Sequence, residues 1–110
     1  MRLFQIFLIA VLIIVSVYTF IVIQNYGINL FAPFFGDMAA MTWAGQFNLD
    51  FMFMLALSAL WTAWRNEFSA SGLVLAVFAF LGGIIFLSVY LLFLTKQTNG
   101  DIHRVLIGNR

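Results

Sequence analysis

One carboxylate stands out among the residues of this sequence that could take part in chemistry. Asp50 follows Gln46 and Asn48 and leads directly into the apolar run 51–64. A carboxylate held inside a hydrocarbon layer costs ~2.5–3.5 kcal/mol on insertion scales, so one kept there points to function or partner binding. The competing role is a helix cap at the membrane edge. The other reactive side chains form no set. His103 is the only histidine and lies beside Asp101 and Arg104 in a polar tail, where it reads as a solvated residue. One histidine and four carboxylates give no metal-ligand spacing. With no cysteine, a thiolate nucleophile, a Cys-ligated metal and a disulfide are all excluded. Ser69-Ala70-Ser71-Gly72 lacks the glycine spacing and the lysine of a phosphate loop and reads as a helix start. Arg65 and Glu67 read as a solvated pair worth little. No catalytic residue, metal or cofactor is assigned, and the chain is read as non-enzymatic.

What must position Asp50 is set by composition. Of 110 residues 65% are hydrophobic and 8% charged, against about 25% charged in ordinary globular domains. So few charges cannot coat a soluble surface, and lipid must be the solvent for most of it. A net charge of +1 with no basic stripe argues against nucleic acid as a partner.

The chain reads as an all-α membrane protein. It is expected to be a bundle of three transmembrane helices, with an apolar loop between the first two and a short amphipathic tail. Residues 3–23 carry no charge and make ~31 Å of helix, enough for a ~30 Å hydrocarbon core. That run exceeds the ~7–15 apolar residues of a signal peptide and no small-x-small site follows it, so it reads as a retained anchor. Residues 72–95 make an equally plain third span, closed by Lys96. Gly82-Gly83 in its middle reads as a packing notch rather than a hinge. The second span is placed at 42–64 by its tryptophans, since Trp43 and Trp64 lie ~31 Å apart along a helix and Trp favours the two interfaces. Asp50 is then ~10 Å inside Trp43. A helix capped at Asn48, with Asp50 in its first turn, is the rival.

The loop 24–41 contains Leu30-Phe31-Ala32-Pro33-Phe34-Phe35 and is expected on the headgroup layer or folded over the bundle. Pro33 is expected to stop helix and Gly36-Asp37 to make a turn. In the tail 96–110, Asn99-Gly100-Asp101 reads as a turn and N-cap. Ile102, Val105 and Leu106 then form one face of a short interfacial helix. Charge gives little orientation: an inside N-terminus pairs Arg2 with Arg65 and leaves Lys96, Arg104 and Arg110 outside. With no Lys or Arg in 24–49 and Arg2 beside the first span, N-in and C-out is favoured.

Straight alternating helices put Ser16, Tyr18, Thr19, Ser88 and Tyr90 in the same half of the membrane as Asp50. That polar intramembrane cluster is the candidate site. Two stripes of small residues, Ala56/Ala59/Ala63 and Gly72/Ala76/Ala79/Gly83, invite close packing of the second and third helices. Asp50 points away from the alanine stripe. It is expected to face the first helix, a partner protein or a second copy, with Ser16 or Thr19 better placed than Tyr90.

The chain resembles a group of small three-span bacterial inner-membrane proteins of unknown function. The likeness lies in Asn48-Leu49-Asp50-Phe51 opening the second span, the exit Trp61-Thr62-Ala63-Trp64-Arg65, and Leu91-Leu92-Phe93-Leu94 closing the third. It implies a bacterial plasma-membrane location and no particular activity. The expected function is that of a non-enzymatic accessory or self-associating membrane component. Its partners would be the bilayer and either a homo-oligomer or a larger membrane protein. The alternatives are a binder or carrier of a lipid or hydrophobic ligand, with the Phe31–Phe35 loop as a lid, and an oligomeric channel or proton-coupled transporter using Asp50.

Overall fold

The structure is a computed structural model and describes residues 2–27 and 29–108. Five helices follow one another: α1 (Arg2–Tyr26), α2 (Phe31–Ala39), α3 (Trp43–Arg65), α4 (Ala70–Gln97) and α5 (Ile102–Ile107), with no strand among the described residues. The expected all-α bundle is what forms, and α1, α3 and α4 are each long and apolar enough to cross a membrane. Helix is the one open-ended element that satisfies every backbone N–H and C=O within itself in lipid.

Local chemistry sets the ends. Thr42 is extended and its hydroxyl accepts from Gly45 N–H at 3.2 Å, so α3 begins where the tryptophan belt places it and not at Asn48. Ser69 caps α4 in the same way, accepting from Gly72 N–H at 3.1 Å. Asp101 caps α5 by accepting from His103 N–H at 3.2 Å, as the sequence suggests. Arg110, counted in the charge balance above, lies outside the described residues.

Two segments depart from expectation. Pro33 does not stop a helix; it occupies the first turn of α2, where its missing N–H has no intrahelical acceptor to lose. Half of the 24–41 loop is thus a nine-residue helix that doubles back along α3. Asn48 Nδ2 donates to the Phe34 carbonyl at 3.1 Å, and a Cβ at Gly45 would overlap the Asp37 carbonyl. Only glycine lets the two backbones approach so closely.

The second departure is larger. Gly83, inside α4, has φ 57° and ψ −138°, a conformation essentially closed to residues with a Cβ. A straight α4 would carry Tyr90 ~30 Å from Ala70. Instead the Tyr90 hydroxyl accepts from Asn66 Nδ2 at 2.9 Å, and its ring lies 6.0 Å from that of Trp61. The arms 70–82 and 84–97, each ~20 Å long, therefore fold back on one another. Their turn rests against Phe51 and Leu55 of α3. Gly82-Gly83 is a hinge, not the notch expected.

The fold-back fixes the rest of the architecture. α4 occupies the centre, packed against α3 on one side and α1 on the other, with no comparable contact joining α1 to α3. Gln5 Nε2 donates to Thr95 Oγ1 at 3.0 Å, tying the start of α1 to the end of α4. The expectation that the tail lies opposite Arg2 is corrected: Arg2, Arg65, Lys96 and Arg104 all stand at one end. The core sits at that end too, where Tyr90, Leu94 and Val105 are buried among Trp61, Leu75, Phe86 and Leu91.

Candidate functional site at the charged end

The last two turns of α3 grip α5. Helix ends leave carbonyls without intrahelical donors, and cations near a C-terminus are favoured by the helix dipole. Arg65 lies within reach of that end. Its Nε donates to the Val105 carbonyl at 2.6 Å and its Nη2 to the Arg104 carbonyl at 3.1 Å. One turn earlier, Trp61 Nε1 donates to the Leu106 carbonyl at 2.9 Å. Arg65 is therefore a clamp on α5, not half of a solvated pair with Glu67. Of the apolar face expected on α5, Val105 is fully buried, while Ile102 and Leu106 stay half exposed.

Beneath the clamp, Asn66 joins the arms. Its Nδ2 donates to the Thr62 carbonyl at 2.8 Å and to the Tyr90 hydroxyl at 2.9 Å. Gly72 stands opposite, with a hypothetical Cβ only 2.6 Å from Asn66 Cβ. Between these groups and α5 lies a cavity of about 340 Å³. Arg65, Asn66, Glu67, Gln97, Thr98 and Arg104 form its polar side, and Leu75, Tyr90, Phe93 and Leu94 its apolar side. The guanidinium of Arg104 and the carboxylate of Glu67 have no partner among the described residues. No three His, Asp or Glu side chains converge there in a way that could hold a metal ion.

The sequence-derived cluster is not assembled as a unit. Fold-back carries Tyr90 and Ser88 toward the charged end, whereas Asp50 lies fifteen residues, ~22 Å, from Arg65 along α3. Ser88 is fully buried and its hydroxyl, like that of Ser58, has no hydrogen-bond partner among the described residues. Ser16 and Thr19 are half-buried on α1, and Tyr18 is 71% exposed. Because α4 stands between α1 and α3, the first helix drops out of the three expected neighbours of Asp50, leaving a partner protein or a second copy. Asp50 is exposed, and its carboxylate makes no hydrogen bond to a described residue. α2 lies at the far end of the bundle from the cavity.

Burial varies along the small-residue stripes. Ala63, Gly72 and Ala79 are buried, Ala59, Ala76 and Gly83 half-buried, and only Ala56 is exposed. Sequence reasoning passed over Asn66, Gln97 and Thr98, whose roles depend on the fold-back. The available signal was the glycine pair itself. No family model, curated protein or solved structure matches this chain.

Proposed function

We propose that the protein is a non-enzymatic, self-associating component of the bacterial plasma membrane, with the charged end of the bundle on the cytoplasmic side. The observation that carries the self-association reading is Asp50, a carboxylate exposed on α3, ~10 Å inside Trp43, with no partner among the described residues. Left in hydrocarbon it is costly, and a donor from a neighbouring helix relieves that cost. A second copy offers one at matching depth. Tyr18 is exposed on α1, ~20 Å from Gln5, as Asp50 is ~22 Å from Arg65. α1 and α3 flank α4, so α1 of one copy meets α3 of the next in a head-to-tail contact.

The orientation rests on charge. The four described basic residues share one end, and residues 24–49 contain no Lys or Arg. That asymmetry favours a cytoplasmic location for the charged end. Each arm of α4 is ~20 Å, short of a ~30 Å core, so α4 enters and leaves on the same side. The bacterial location is carried over from the resemblance to small three-span inner-membrane proteins.

The test is the mass of the detergent-solubilised protein, with anything that co-purifies, for wild type, Asp50→Asn and Tyr18→Phe. An oligomer that dissociates about three- to tenfold more readily in Tyr18→Phe supports the reading. A monomeric wild type overturns it, and a different protein retained in fixed ratio reassigns Asp50 to that partner.

A further inference from the structure

We propose that the cavity at the charged end is a binding site for a phosphoryl anion, of the kind carried by a net-negative phospholipid headgroup. Its volume of about 340 Å³ suits a small group rather than a whole lipid. Three donors remain free around it. Arg65 commits two of its N–H groups to α5 carbonyls and keeps the others. Tyr90 accepts from Asn66, which leaves its own proton to donate. The Arg104 guanidinium has no partner among the described residues. Glu67 is the one carboxylate lining the space, and it pairs with neither arginine. The remaining N–H groups of Arg65, the guanidinium of Arg104 and a phenol suit a tetrahedral oxyanion with several acceptors. Phe93 is 59% exposed beside Leu75 and Leu94 and offers apolar surface on which acyl chains can lie below the headgroup. The inference rests on the reading of this end as a membrane surface, where the cytoplasmic leaflet supplies such anions.

The experiment uses the full chain in non-ionic detergent, titrated with phosphatidylglycerol, phosphatidylcholine or inorganic phosphate. Bound adducts are read by native mass spectrometry, and affinity by tryptophan fluorescence, since Trp61 adjoins Tyr90. The expected result is one phosphatidylglycerol retained per chain and much weaker retention of phosphatidylcholine. Arg104→Gln should weaken binding about tenfold and Arg104→Lys less. Lys96→Gln, which removes the same charge outside the cavity, should change it less than twofold. Displacement by inorganic phosphate assigns a soluble ligand to the site; resistance to it assigns a lipid. No saturable binding, equal retention of both lipids, or equal losses in Arg104→Gln and Lys96→Gln overturns the site. Because the titration is done on purified protein, a charged end found outside the cytoplasm would refute the orientation and leave the site standing.

Discussion

The amide of Asn66 and the phenol of Tyr90 meet at 2.9 Å although 24 residues of chain separate them. This contact joins the end of α3 to the returning arm of α4. Tyr90→Phe should cost about 1 kcal/mol, because Asn66 keeps its bond to Thr62 and the ring keeps its stack on Phe86. Tyr90→Ala should cost about 3–5 kcal/mol by opening the core. Unfolding in mild detergent, followed by tryptophan fluorescence, measures both. Equal effects would mean that the ring contributes nothing beyond its hydroxyl.

Gly83 is the point on which the path of α4 turns. Alanine there forces a Cβ into a conformation costing about 1–3 kcal/mol and brings it 3.3 Å from the Phe51 ring. Gly82→Ala meets Phe86 Cβ at 2.7 Å. The double variant removes the hinge while raising helix propensity, so α4 should straighten and carry its C-terminus across the bilayer. A reporter fused after Arg110 should read the cytoplasmic side in wild type and the opposite side in the double variant. Identical readings would show that the glycines do not govern the path.

Much of this was legible in the sequence, for reasons that can be named. Uncharged length alone identified α1, and Trp43 and Trp64 marked the ends of α3 correctly because an interfacial side chain reports depth. The caps at Ser69 and Asp101 are local chemistry and need no tertiary information. The fold-back was not legible: two glycines in an apolar run serve equally as a notch or a hinge, and which occurs depends on what Phe51 and Leu55 offer them. The candidate cluster failed with it, since the depths of Ser88 and Tyr90 were counted along a straight helix. Pro33 was misjudged for a different reason, namely that a proline early in a helix is tolerated and a central one is not.

Arg65 holds α5 through two charge-assisted bonds, each worth about 1.5–3 kcal/mol. Arg65→Leu should release α5, and limited proteolysis after Lys96 or Arg104 should then outpace cleavage of wild type at least several-fold. Arg65→Lys, lacking the planar fork, should recover only part of the protection.

The hydroxyl of Ser88 is buried without a partner among the described residues, at a desolvation cost of about 1–3 kcal/mol. Ser88→Ala should therefore raise stability by about 1 kcal/mol, in contrast to most core substitutions. A midpoint that falls in the same detergent unfolding assay would mean that the hydroxyl is engaged.

Gly45 allows α2 to lie on α3. Gly45→Ala should push a methyl group into the Asp37 carbonyl and the Met38 Cα, separating the two helices at a cost of about 1–3 kcal/mol. Hydrogen exchange of residues 31–39 should accelerate while that of α1 is unchanged.

The bend at Gly83 also bears on how the chain is made. In the proposed orientation both ends of α4 lie on the cytoplasmic side, and residues 66–108 need not be carried through the bilayer during synthesis. The translocated stretch reduces to roughly residues 24–42, which contain no lysine or arginine and one carboxylate, Asp37. Insertion then amounts to passing a single nearly uncharged loop. In that orientation Arg2, Arg65, Lys96 and Arg104, of the type that resists such passage most strongly, stay on the side on which they are synthesised.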